Sequence, residues 1–190
     1  MSKYLNLIGK NANKALSKKI DTKTKNKVLK KFIFLVEKEK KNIIKANLKD
    51  VKFALKKNIK KNLIERLTLN TKKLNSIKQA VKNIVNLKDP IDNTLEKWER
   101  PNGLKIKRVS IPIGIIGVIY ESRPNVTSDV SSLCFKSGNA VILRGGSEAI
   151  NTNKILSNLF RKALKENNVD PNFVQFINNK SRKLVDYMLS

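Results

Sequence analysis

Two short apolar runs, Ile115–Tyr120 and residues 140–143, dominate what this chain can become. The first is followed by a polar loop holding Pro124 and then by an amphipathic segment. The second is followed by a Gly-Gly-Ser loop and another amphipathic segment. Runs this short suit strands better than helices, and an unbroken apolar run fits a strand covered on both faces. Strands that alternate with helices pair in parallel through crossovers, with right-handed connections expected. Five of the seven glycines, Gly114, Gly117, Gly138, Gly145 and Gly146, fall within residues 111–153, so this stretch carries the tight turns.

The surrounding pattern is consistent with an α/β fold in which amino-terminal helices precede a parallel sheet. Residues 1–88 are helical in character. Asp21 or Thr22 can cap a helix with Val28, Phe32, Leu35 and Val36 on one face. Ile43, Ile44, Ala46, Leu48, Val51, Ala54 and Leu55 suggest a second helix. Asn70 or Thr71 can cap a third, with a stripe of Leu74, Ile77, Val81, Ile84 and Val85. Asp89 and Pro90 end the helical region, and Trp98, Pro101, Asn102 and Gly103 read as turn residues. Residues 104–113 alternate as a half-buried strand would, with a slip near Arg108. After the first buried strand, Thr127 can cap a helix bearing Val130, Leu133 and Cys134, which Gly138 terminates. Ser147 or Asn151 can start a helix with Leu156, Leu159, Phe160 and Ala163 inward. Residues 173–177 read as a third strand, and Ser181 as the cap of a last helix. Three parallel strands make a thin sheet with open edges, so the chain is expected to be part of a larger protein.

Charge is the other pronounced feature. The formal net charge is +26, from 41 basic and 15 acidic residues. Clustered cations would suit nucleic acid. However, 34 of the cations are lysines, spread between apolar positions at helical spacing, and they accompany many Asn and Ile. Compositional drift accounts for that distribution better than a nucleic-acid interface. The first 100 residues carry +19 and the glycine-rich remainder +7, so the field is weakest where the loops are richest. No run approaches the ~18 apolar residues of a spanning helix, and no signal peptide is recognisable, which points to the cytoplasm. With one cysteine and no histidine, neither an internal disulfide nor a zinc site is expected.

Two loops offer chemistry. Residues 144–148 follow the second strand, at the edge where open α/β sheets bind ligands. There Arg144 supplies a positive charge, and Gly145 and Gly146 permit close backbone approach. The helix start at Ser147 offers N–H groups to a phosphate, and Glu148 can accept from ribose hydroxyls. The spacing matches neither G-x-G-x-x-G nor a Walker loop, so a plain glycine-rich turn is an equal alternative. Residues 121–125 follow the first strand. Asn125 is either a helix cap or a neutral amide donor to a developing oxyanion. Cys134, among Val130 and Leu133, is expected to be a buried hydrophobe and not a nucleophile.

The segments P-I-G-I-I-G-V-I-Y-E-S-R-P-N-V-T-S-D-V and C-F-K-S-G-N-A-V-I-L-R-G-G-S-E-A-I-N-T-N resemble the glutamate-5-semialdehyde dehydrogenase (gamma-glutamyl phosphate reductase) family of the aldehyde dehydrogenase superfamily. E-K-W-E-R-P-N-G-L-K-I-K-R-V and K-A-N-L-K-D, around residues 45–50, are similar to the same family. The resemblance implies a truncated aldehyde dehydrogenase fold with a Rossmann-like sheet. Residues 1–93 would be a helical segment of the cofactor domain, 94–113 the strand region of an oligomerisation arm, and 114–190 the first βα units of the NADP-binding domain. The catalytic domain and its nucleophilic cysteine would lie outside the chain, which alone would be inactive. The implied reaction is NADPH-dependent reduction of L-glutamyl 5-phosphate to L-glutamate 5-semialdehyde in proline biosynthesis, by a homo-oligomer when full length. Asn125 would support the oxyanion, and Ile119, Tyr120, Glu121, Arg144, Gly145, Gly146, Ser147 and Glu148 would hold NADP(H). A non-catalytic remnant or interaction module, and a nucleic-acid-binding protein, are the competing readings.

Overall fold

The computed structural model describes residues 2–179, 181 and 183–189. Five helices come first: α1 (Ser2–Leu16), α2 (Thr22–Lys38), α3 (Lys40–Lys56), α4 (Lys61–Leu67) and α5 (Thr71–Asn86). Local capping explains two of the starts. The Asp21 side chain accepts from Thr24 N–H at 2.7 Å, and that of Asn70 from Lys73 N–H at 2.9 Å, each satisfying a donor the helix leaves orphaned. On α2 and α5 the expected apolar stripes are buried. On α3 the expected set divides: Ile43 and Ala54 are buried, Leu48 and Leu55 are exposed, and Asn47 and Asp50 complete the inward face.

Strands β1 (Thr94–Glu99) and β2 (Lys105–Val109) form an antiparallel ribbon. It differs from the sequence expectation in three respects. Trp98 lies in β1 and not in the turn, which is tightened by Gly103 N–H donating to Arg100 C=O at 2.9 Å. β2 is almost wholly exposed where a half-buried strand was expected. The slip near Arg108 is an irregularity on the partner strand, between Thr94 and Glu96.

The second sheet is parallel, in the order β3 (Ile115–Tyr120), β4 (Ala140–Gly145), β5 (Val174–Phe176), with α6 (Pro124–Lys136) and α7 (Ile150–Lys165) as the connecting helices. A last helix, α8 (Lys183–Leu189), follows. Ser181 stands two residues ahead of it, and the intervening position lies outside the described residues. β4 is buried throughout, as a central strand should be. β3 alternates exposed and half-buried residues, so the expectation of cover on both faces fails. β3 is an edge strand here, with Ile115 and Ile119 uncovered.

The main core joins α2, α5, α6, α7 and β4. Phe32 packs on Phe160 at 4.8 Å between ring centroids, and Phe135 meets Phe173 edge-on at 5.5 Å. All four rings are at most 2% exposed, each contributing roughly 1.5–3 kcal/mol by burial. Beneath this core Lys25, itself buried, donates to Asp89 at 2.9 Å, tying α2 to the end of α5. α1 is fastened to the sheet by Gln175 Nε2, which donates to Ile8 C=O at 2.7 Å.

Candidate functional site

The carboxyl ends of β3 and β4 open into a cavity of about 750 Å³. Its lining contains Ile119, Tyr120, Glu121, Arg144, Gly146, Ser147 and Glu148, all expected from the sequence. Gly145 stands behind this wall. The opposite rim comes from Lys57, Asn58, Ile59 and Lys60, between α3 and α4, with Leu63 of α4 and Val185 and Asp186 of α8.

The turn after β4 is built differently from a loop left open for a ligand. Residues Ser147–Ala149 form a single 3-10 turn before α7. A Cβ on Gly145 would lie 2.2 Å from Asn153 Nδ2, and one on Gly146 would lie 2.1 Å from Glu148 Oε1. The space that glycine frees is therefore filled by the protein's own side chains. Glu148 Oε1 in turn accepts from the Ser122 N–H and hydroxyl, each at 2.8 Å, which locks the two loops together. Burial alone would raise the Glu148 carboxyl. Hydrogen bonds from its own and the Ser122 N–H, from the Ser122 hydroxyl, and the Arg144 charge outweigh it, so the group is held below the usual carboxylate range.

The N-terminus of α7 is likewise occupied. Asp50 of α3, 1% exposed, accepts from Thr152 N–H at 2.8 Å, Thr152 Oγ1 at 2.6 Å, Asn151 N–H at 3.2 Å and Asn151 Nδ2 at 2.7 Å. Two N–H groups that the sequence reading offered to a phosphate already hold an internal carboxylate. Asn47 completes the network, donating to Thr152 Oγ1 at 3.2 Å and Leu67 C=O at 2.9 Å and accepting from Leu69 N–H at 2.7 Å. Asn47 and Asp50 were missed as site residues. The signal available was two polar residues three apart at inward helical positions, within K-A-N-L-K-D.

Arg144 is 6% exposed, and its Nη1 donates to the Gly145 carbonyl. It forms a fixed charge on the cavity floor. Beside it Thr127 gives its proton to Asn153 Oδ1 at 3.0 Å, so the Tyr120 hydroxyl, 2.6 Å away, is the donor to Thr127. Burial pushes that phenol up to about 12, opposed by Thr127 and Arg144, so it stays protonated.

Asn125 lies on the far side of the 121–125 loop, in a separate cavity of about 440 Å³ with Arg66, Lys73, Arg123 and Asp129. The capping alternative is excluded: α6 starts at Pro124 with Arg123 as the flanking residue, and neither Asn125 nor Thr127 caps it. Instead Asn125 Nδ2 donates to Asp129 Oδ2 at 3.0 Å, one turn on, leaving its second N–H available. Burial raises the Asp129 carboxyl, partly offset by that bond. Cys134 is 8% exposed, and burial pushes its thiol up to about 11, as befits a small core residue.

No family model matches the chain. The fold is that of the aldehyde dehydrogenases: propionaldehyde dehydrogenase of Rhodopseudomonas palustris superposes with a TM-score of 0.68 at 12% identity, over 97% of this chain and 39% of that one. Within that class the likeness is much closer to gamma-glutamyl phosphate reductase. The Thermotoga maritima crystal structure superposes with a TM-score of 0.94 at 41% identity, over 97% of this chain and 45% of that one. In the curated sequence of the Thermotoga maritima enzyme the identity is 44% over 168 residues, 88% of this chain and 40% of that protein. Over most of its own length the chain is similar to gamma-glutamyl phosphate reductases, and it spans about 40% of the length of the curated relatives it matches.

Proposed function

We propose that this chain is the dinucleotide-binding part of an NADP(H)-dependent gamma-glutamyl phosphate reductase, which converts L-glutamyl 5-phosphate to L-glutamate 5-semialdehyde for proline biosynthesis in the cytoplasm. The observation that carries the reading is the 750 Å³ cavity, where residues from two sequence-distant loops meet at the carboxyl edge of a parallel sheet. The lining suits a dinucleotide. Ile59, Leu63, Ile119 and Val185 give an apolar wall for a base, and Arg144 gives a fixed charge for the phosphates common to both dinucleotides. When bound, NADPH supplies the hydride. This chain's own residues bind and orient it: Arg144 from the floor, Glu148 through ribose hydroxyls, and Ser122 by holding the Glu148 carboxylate in place.

Asn125 is proposed to direct its unused amide N–H at the acyl oxygen of the substrate, with Asp129 fixing the amide plane. Cys134, buried and protonated, is not the acyl acceptor, so the 190-residue chain is proposed to bind the dinucleotide without turning over substrate. The β1–β2 ribbon, with Leu95, Trp98 and Leu104 exposed, is proposed as the contact between copies in a homo-oligomer.

Titrating the purified chain with NADPH and NADH, followed by nicotinamide fluorescence, tests the central reading. Saturable binding with a Kd below about 1 mM is expected. Arg144→Ala should weaken both dinucleotides by about tenfold or more, since it removes a charge-assisted contact. Absence of saturable binding by the unsubstituted chain would overturn the assignment.

A further inference from the structure

We infer that Lys57 and Lys60, on the loop between α3 and α4, form the wall that reads the extra ribose phosphate of NADP(H), an inference that rests on the dinucleotide reading of this cavity. Among the described residues three cations line the cavity, Arg144, Lys57 and Lys60, against three carboxylates, Glu121, Glu148 and Asp186. Arg144 is buried, with its Nη1 donating to the Gly145 carbonyl, so its charge stays on the cavity floor, and Glu148 is held by Ser122. The α7 N-terminus, where an αβ fold often holds phosphate, is filled by Asp50. Lys57 and Lys60 are both exposed, and the flexible stems of their ammonium heads let them follow a phosphate monoester.

The loop that carries them is rigid and coupled to the site. α3 ends with Asn58 in the left-handed region at φ 51°, and Ile59 N–H closes back on Ala54 C=O at 3.1 Å. Ile59 then packs on a small apolar cluster of Ala54, Leu67 and Ala149. Ala149 belongs to the same 3-10 turn as Glu148. The two lysines thus flank a residue anchored to the turn that closes the cavity from the other side. Hydrogen bonding and packing hold their backbone while their side chains are exposed, which suits recognition of a dianion at an open rim.

The test uses the purified chain with Lys57→Gln, Lys60→Gln and the double variant, whose exposed positions spare the fold. Kd is measured for NADPH, NADH and adenosine 2′,5′-bisphosphate, and acetyl phosphate is tried as a competitor. The double variant should lose about tenfold or more for NADPH and the bisphosphate, while NADH changes less than about twofold. The loss should shrink as salt rises, as expected for solvent-exposed charges. Equal losses for NADH and NADPH, or none for either, would overturn the inference while leaving the dinucleotide site intact. Displacement by acetyl phosphate alone, lost in the double variant, would overturn it by giving the pair to an acyl-phosphate substrate. Failure of the unsubstituted chain to bind any of the three adenine compounds would refute both the site and the wall.

Discussion

A methyl group on Gly145 would meet the Asn153 amide at 2.2 Å and the Tyr120 ring and hydroxyl at 3.1 Å, on a central strand with no room to yield. Gly145→Ala should therefore destabilise the protein by about 1–3 kcal/mol, read from thermal melting. It should also weaken dinucleotide binding, because Asn153 and Tyr120 shift together. A variant melting like the parent would show that Asn153 has another place to go. At this scale the sequence was only half legible. That two glycines at 145 and 146 mark a tight backbone was readable. What crowds them was not, because Asn153 and Glu148 reach them through tertiary geometry. The same holds for Asn125, whose two roles looked equal until the side chain was found directed at Asp129 and not at the helix start.

Helix α7 begins without a side-chain cap of its own. Its cap comes from Asp50, a hundred residues earlier in the chain, on a helix whose buried face is polar in the middle. Asp50→Ala would leave the Thr152 and Asn151 donors unmet in a buried place. A loss of about 2–4 kcal/mol is expected. Hydrogen exchange should rise first across residues 147–153, ahead of α2; uniform acceleration over the whole chain would argue against a local cap. The helices and strands themselves were largely legible from periodicity. On α3, Ile43 and Ala54 were legible as inward residues, but Asn47 and Asp50 were not, because an apolar pattern does not mark polar residues on a buried face. β3 was misread because an apolar run does not say which neighbours cover it.

At the scale of the molecule, a chain with net charge +26 repels itself, and the few buried ion pairs have disproportionate weight. Lys25 with Asp89 is the clearest, since Lys25 is 3% exposed and Asp89 also accepts from the Thr22 hydroxyl at 2.7 Å. Burial raises the Asp89 carboxyl, but hydrogen bonds from Thr22, Lys25 and the Ile91 N–H, with the Lys25 charge, bring it below its ordinary value. A carboxylate depressed in the folded state stabilises in full above the ordinary carboxylate range. That contribution is lost as pH falls through the folded value. Stability measured by denaturant should therefore drop below about pH 4, and Asp89→Asn should flatten that drop while lowering stability at pH 7. An unchanged acid limb in the variant would assign the loss to other carboxylates.

The Asp50 carboxylate at the head of α7 has a consequence for energetics beyond capping. Many anion-binding turns depend on their ligand to neutralise the helix start, so arrival of the ligand completes the fold there. This chain carries a resident counter-anion, and the turn is finished before any cofactor arrives. Binding then costs little ordering, and the melting temperature should climb with dinucleotide concentration by mass action alone, without a step in heat capacity from newly folded backbone.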